Sequence, residues 1–154
     1  MRKFEKISWE QFKKDVEDNE ELYESYMLPR RETIHAAAYD FYALYDYVLK
    51  PGEIKKIPTG VKVNMEPDDA LLLLDRSSMG FKWNVRMCNQ VGVIDADYYN
   101  NADNDGHMWI RIQNEGDKDY VVKRGEGMCQ GMFVKYLKTD DDDNTEFVSR
   151  TSDY

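Results

Sequence analysis

Val91-Gly92-Val93-Ile94-Asp95-Ala96-Asp97-Tyr98-Tyr99-Asn100 runs from β-branched residues into a turn that carries two carboxylates and ends in aromatics. Val93 and Ile94 favour strand. Under period-2 alternation, Asp95 and Asp97 share one strand face while Ala96 and Tyr98 share the other. Taken alone, the stretch reads as an acidic β-turn, because turns favour Asp and Asn for local reasons. A carboxylate on the rim of a hairpin tip is also a place to hold a metal or activate a water. The surrounding chain is strand-rich from Ala36 onward. Candidate strands are Ile54 to Lys62, Ala70 to Leu74, Val85 to Cys88, Val91 to Ile94, Met108 to Gln113, Tyr120 to Val122 and Met128 to Tyr136. Turn signals at Pro51-Gly52, Glu66-Pro67-Asp68, Asn104-Asp105-Gly106 and Glu115-Gly116-Asp117 separate them, a cadence that predicts an all-β sandwich or barrel.

Before this region, Ser8 to about Tyr26 reads as a helix. Ser8 and Gln11 have the spacing of a capping box, Trp9, Phe12, Val16, Leu22, Tyr23 and Tyr26 supply an apolar stripe, and Pro29 ends the element. This piece is expected to pack on the domain or on a neighbouring subunit. Asp140-Asp141-Asp142-Asp143 repels itself and predicts a solvated linker rather than a metal site. His35 and His107 share no zinc-like spacing and read as surface or hydrogen-bonded histidines.

The 154 residues fit one domain with a real core, and no apolar run could cross a bilayer. The N-terminus lacks the apolar stretch of a secretory signal, and Cys88 and Cys129 are too few for a disulfide framework. A cytoplasmic protein with two reduced thiols is expected, and neither thiol looks like a nucleophile. The net charge of −9 argues against a nucleic-acid polymer as partner. A free nucleotide needs only an arginine or two, backbone amides and a divalent cation.

Four segments carry more specific information. Ala38-Tyr39-Asp40-Phe41-Tyr42-Ala43 comes first and Asp75-Arg76-Ser77-Ser78-Met79-Gly80 second. Asn89-Gln90-Val91 leading into the opening stretch is third, and Gly125-Glu126-Gly127-Met128-Cys129-Gln130 is fourth. In order and spacing they resemble the first four motifs of the trimeric dUTP pyrophosphatases, from about Leu28 to the C-terminus. The resemblance implies a distorted jelly-roll sandwich, to which the N-terminal helix, lying outside the resemblance, reads as an addition. Residues 1–27 would be the helical extension, 28–138 the β domain, and 139–154 an acidic linker with a shortened arm.

It also implies hydrolysis of dUTP to dUMP and pyrophosphate by water attack at the α-phosphorus, with Mg2+ carried mainly by the triphosphate. Asp95 matches the aspartate that polarises the water, and Asp40 one that orders water and magnesium. Arg76, Ser77 and Ser78 match the phosphate-binding segment, and Gln130 a glutamine that also meets phosphate. Asn89, Gly92 and Val93 match the hairpin that pairs with uracil, and Tyr98 the tyrosine under the deoxyribose. The family is homotrimeric, with each site assembled from neighbouring chains.

The sequence departs from the family at several points. Where many family members have Ala-Gly-Tyr-Asp, a proline and Tyr-Arg-Gly, this chain has Ala37-Ala38-Tyr39-Asp40, Asp75 and Tyr98-Tyr99-Asn100. The glycine-rich fifth motif is replaced by Ser149-Arg150-Thr151-Ser152-Asp153-Tyr154, in which Arg150 and Tyr154 stand for the motif's arginine and its uracil-stacking aromatic. That ending can equally be a frayed terminus. A non-catalytic nucleotide-binding trimer acting on a regulatory protein partner, and a dCTP deaminase-like enzyme, stay open beside the pyrophosphatase.

Overall fold

The structure, a computed structural model, describes residues 1–142, 146–152 and 154. The chain opens with β1 (Lys3–Lys6), α1 (Trp9–Asp15) and α2 (Glu20–Ser25), and continues through β2 (Tyr39–Tyr42), β3 (Tyr47–Leu49), β4 (Ile54–Pro58), β5 (Val61–Asn64) and β6 (Asp69–Leu74). It then forms α3 (Ser77–Trp83), β7 (Val85–Met87), β8 (Gly92–Asp95), a 3-10 helix (Ala96–Tyr98), β9 (Trp109–Asn114), β10 (Tyr120–Val122) and β11 (Gly127–Lys135). All named pairings are antiparallel. The principal sheet has the order β2-β11-β6-β8, β4-β9-β7 forms a second sheet, and β1-β5 and β3-β10 are two-stranded ribbons.

Inward residues of these sheets make one core around Phe41, Leu49, Leu71, Leu73, Met87, Ile110 and Ile112. The architecture is the expected all-β one, and alternation explains it. In β8, Gly92 and Ile94 are buried while Val93 and Asp95 are exposed.

Several elements differ from the sequence reading. The helix expected over Ser8 to Tyr26 is two helices, because Asn19 turns its side chain back to accept from the Leu22 amide at 3.0 Å and so caps a new helix. All six residues of the expected apolar stripe do pack together, with Ile7 and Leu44, in a second core against the β domain. The capping box is half formed. Ser8 Oγ accepts from the Gln11 amide, but Gln11 donates its own side chain to Asp15, and the Ser8 amide goes instead to Asp105 Oδ2 at 2.8 Å.

The strand expected over Ile54 to Lys62 breaks at Gly60, whose φ of +75° interrupts the pleat where the Tyr26 ring packs against it. The strand face expected to carry both Asp95 and Asp97 stops at Asp95, where the 3-10 turn swings the buried Tyr98 inward. β1, β2, β3 and α3 were not among the expected elements. The acidic run is exposed at Asp140 and Asp141, and its last member, Asp143, lies outside the described residues. No helix among the described residues is long and apolar enough to cross a membrane.

Candidate active site

Two groups of polar residues form on the principal sheet. The first surrounds β8. Being the sheet's edge, β8 leaves one side of its backbone unpaired within the sheet, available to read the hydrogen-bonding edge of a base. The turn before it is tight: Gln90 takes φ +64° and the Val91 amide donates to Asn89 O at 2.7 Å. Asn89, Gly92, Val93, Ile94, Asp95, Tyr98, Arg150 and Tyr154 line a cavity of about 110 Å³ beside this strand.

Tyr98 forms a buried wall of that cavity, and Tyr154 meets it edge to face with ring centroids 6.0 Å apart. Asp95 stands exposed on the rim. Arg150 forms an ion pair with Asp95 Oδ2, and its Nε lies 3.1 Å from Asp97 Oδ1. Arg150 and Tyr154 therefore converge on the pocket with Asn89, Gly92, Val93, Asp95 and Tyr98.

The second group gathers at the other end of the sheet. Gln130 of β11 pairs with Asp40 of β2 on one side and with Leu74 of β6 on the other. Asp40 Oδ1 lies 3.3 Å from Arg76 Nε, Arg76 Nη1 donates to Gly127 O at 3.2 Å, and Gln130 Nε2 donates to Asp75 O at 2.9 Å. Ser77 and Ser78 open α3 directly after Arg76. Asp75, which stands where the family has proline, accepts from the Met87 amide at 3.1 Å and ties this corner to β7. Burial raises its carboxyl above the usual range against that hydrogen bond.

The two groups do not meet within one chain. Asp95 pairs with Ala70 while Gln130 pairs with Leu74. Those register points are four residues apart on β6, about 13 Å of strand rise, and β6 itself lies between β8 and β11.

Three residues of the site went unread in the sequence. Gly127 entered the sequence reading only as a member of the fourth motif, without a role. Of the two motif glycines only Gly125 has a positive φ, and Gly127 is a glycine for another reason: a Cβ there would lie 2.7 Å from the Arg76 guanidinium. A second glycine in a turn that needs only one was the available signal. Asn104 was read as part of a turn signal, and His107 as a surface or hydrogen-bonded histidine, of which the structure shows the hydrogen-bonded one, with its place beside Tyr98 unforeseen. His107 is fully buried, accepts from the Gly60 amide at Nε2 (2.9 Å) and faces Asp15 Oδ2 from Nδ1 at 2.6 Å. The Gly60 contact puts the proton on Nδ1, so a neutral imidazole donates to Asp15. Burial lowers the His107 pKa despite Asp15. Cys129 is buried and its thiol pushed up by desolvation, as expected of an inert cysteine.

The family model for dUTPase matches residues 24–153. A deoxyuridine 5'-triphosphate nucleotidohydrolase of Lactococcus lactis subsp. lactis is 44% identical over 127 residues, which cover 82% of this chain and 85% of the relative. The dUTPase crystal structure from Streptococcus mutans superposes with a TM-score of 0.72 at 39% identity, covering 89% of this chain and 98% of that one. The Staphylococcus bacteriophage 80alpha dUTPase solved with dUPNHPP has a TM-score of 0.70 over 98% of this chain and 89% of its own, and at 19% identity it speaks for the fold alone. With the family model spanning nearly the whole chain and relatives this similar over most of their length, the chain belongs to the dUTPase family.

Proposed function

We propose that the chain hydrolyses dUTP to dUMP and pyrophosphate at sites shared between copies of a homotrimer. The observation that carries this reading is the division of the candidate site into a nucleoside-sized pocket with Asp95 on its rim and a separate Asp40, Arg76 and Gln130 cluster. Since about 13 Å of strand separates the halves, a triphosphate seated in one chain's pocket meets the phosphate cluster of a neighbour. Asn89 and the unpaired side of β8 hydrogen-bond uracil. The buried Tyr98 lies under the deoxyribose and leaves no room for a 2′-hydroxyl.

Arg76 offers a guanidinium fork, Ser77 and Ser78 offer hydroxyls and Gln130 an amide to the phosphate oxygens. Asp95 accepts the proton of the water that attacks the α-phosphorus, a role worth about a hundred- to ten-thousand-fold in rate. The catalysis is otherwise positioning and charge neutralisation, as in other phosphoryl transfers. Arg150 competes for the Asp95 carboxylate, so it must exchange that partner for the nucleotide's phosphates before Asp95 can act as base. Tyr154 then closes over the base, and removing the terminal residues would leave the site open to water.

Among the described residues no three acidic, histidine or cysteine side chains converge to hold a resident metal. Asp40 has one oxygen facing Arg76 and a second to offer, a donor set that suits Mg2+ arriving on the triphosphate and reached through water. Bound there, Mg2+ would supply charge neutralisation along the three phosphates.

The test is incubation of the protein with dUTP, dCTP or UTP, with Mg2+ or with EDTA, followed by separation of products. The reading requires dUMP and pyrophosphate from dUTP in Mg2+ only. Deamination of dCTP would point to the related deaminase. Tight dUTP binding without turnover would point to a regulatory trimer.

A further inference from the structure

The segment between the 3-10 helix and β9 is built around Tyr98. Asn101 Nδ2 donates to the Tyr98 carbonyl at 2.8 Å and to Asn104 Oδ1 at 2.9 Å, while Asn101 Oδ1 accepts from the amides of Asp103 and Asn104. Asn104, itself buried, donates from Nδ2 to the Tyr98 hydroxyl at 2.7 Å and to His107 O at 3.2 Å. Its Oδ1 accepts from the Gly106 amide at 3.1 Å as well as from Asn101.

This pattern fixes which way the Asn104 amide points. Turning it over would set its NH2 against two N–H donors and its oxygen against the His107 carbonyl oxygen. Tyr98 is thus held at its backbone by Asn101 and at its phenol by Asn104, with a longer contact of 3.3 Å from the hydroxyl to His107 O. Gly106 is part of the same construction. Its φ is +87°, and a Cβ there would meet backbone at 2.9 Å, so the loop can close tightly enough to bring Asn104 under the ring.

The same residues reach the C-terminal segment. Asn104 Nδ2 lies 3.2 Å from Ser152 Oγ, and the Ser152 amide donates to Asp103 Oδ2 at 2.8 Å. Two protons on Nδ2 thus face three acceptors: the Tyr98 hydroxyl, the His107 carbonyl and Ser152.

We infer that Asn104 is a positioning residue that fixes the sugar-facing Tyr98 and thereby sets the discrimination against ribonucleotides. The inference rests on the reading of Tyr98 as the floor of the deoxyribose pocket. A ring anchored at both ends cannot tilt to admit a 2′-hydroxyl. Without Asn104 the phenol loses its 2.7 Å donor and is left with longer contacts, among them 3.3 Å to His107 O and 3.5 Å to Ser152 Oγ, and the ring gains the freedom that ribose requires.

The experiment measures kcat/KM for dUTP and for UTP in wild type, Asn104→Ala, Tyr98→Ala, Tyr98→Phe and the Tyr98→Phe/Asn104→Ala double variant, with a thermal melt on each. In Asn104→Ala the dUTP-to-UTP ratio falls by about tenfold or more, chiefly through improved use of UTP. In the Tyr98→Phe background, where the hydroxyl is already gone, the same substitution changes the ratio little further. A folded Asn104→Ala protein with the wild-type ratio overturns the inference, and so does an equal loss in both backgrounds, which would mark Asn104 as a structural residue only. If Asn104→Ala does not fold, Asn104→Asp, which keeps the shape and loses both donors, is judged by the same ratio. A Tyr98→Ala protein with wild-type discrimination would refute the sugar pocket itself, whereas a changed ratio in Tyr98→Ala and none in Asn104→Ala refutes only the role of Asn104.

Discussion

Gly127→Ala tests the phosphate cluster through a residue that is not itself proposed to contact the nucleotide. The backbone permits alanine, since Gly127 is not among the residues at positive φ. The obstacle is the Arg76 side chain. An added Cβ would lie 2.7 Å from Cζ and Nη1 and 2.9 Å from Nε, against an ordinary carbon contact of about 3.5 Å or more. The guanidinium therefore retreats by on the order of 1 Å. That movement disturbs both the 3.3 Å contact with Asp40 and the 3.2 Å bond to Gly127 O.

A misplacement of this size in a positioning group costs about a hundredfold in rate, or about 2.7 kcal/mol of transition-state stabilisation. Stability changes little, within about 0.5 kcal/mol, because a partly exposed side chain moves while the backbone stays. Steady-state dUTP hydrolysis with a thermal melt measures both quantities, and the same pair of measurements on Arg76→Ala with and without Gly127→Ala closes a double-mutant cycle. Once Arg76 is gone, the glycine should cease to matter. Activity of Gly127→Ala within about threefold of wild type would show that Arg76 is not held to useful precision. A full loss that persists in the Arg76→Ala background would show that Gly127 acts through something else.

Three further outcomes follow from the same geometry. Asp95→Asn keeps the fold and still binds a non-hydrolysable dUTP analogue, but loses about a hundred- to ten-thousand-fold in turnover, because the amide keeps the shape and cannot take the proton; turnover within about tenfold of wild type would remove Asp95 from that role. Tyr154→Ala lowers kcat/KM for dUTP by about an order of magnitude, and Tyr154→Phe is nearly silent because the ring face carries the contact and the hydroxyl's bonds to the Trp109 backbone are long, at 3.3 and 3.4 Å; equal losses in the two variants would contradict stacking. His107, lowered by burial, is neutral in the folded protein and gains a proton more readily when unfolded. Stability is thus full above the unfolded value of about 6.5 and declines as pH falls from there toward the folded value, by about 1.4 kcal/mol for each unit of lowering; chemical denaturation between pH 7.5 and 5.5, roughly spanning that unfolded value, would show no such slope if His107 were exposed.

How much of this was legible in the sequence depended on what each residue answers to. β10 was read to the residue and β6, β9 and β11 to within one, because short apolar or alternating runs bounded by turn residues are written locally. Asn19 was not recognised as a helix start, since a continuous apolar stripe concealed that its side chain caps the following amides. Most candidate site residues were found through motif order, which identifies them without saying where they stand. The separation of Asp95 from Asp40 is a matter of strand register across β6, set by contacts far apart in sequence. Asn104, Asp105 and Gly106 have the composition of an ordinary turn, and only the three-dimensional course of the loop shows Asn104 beneath Tyr98.

The divided site also has a genetic meaning. In a homotrimer of the kind proposed, a chain carrying Arg76→Ala still contributes an intact Asp95 pocket, and a chain carrying Asp95→Asn still contributes an intact phosphate cluster. Each allele alone is inactive at every site. Expressed together they form mixed trimers in which some interfaces unite the two sound halves, so two defective genes complement each other within one assembly. The reverse holds for a chain defective in both halves: it poisons every interface it joins and acts dominantly over the wild-type copy. The length of one β-strand thereby decides whether mutations in this enzyme behave as recessive, complementing or dominant.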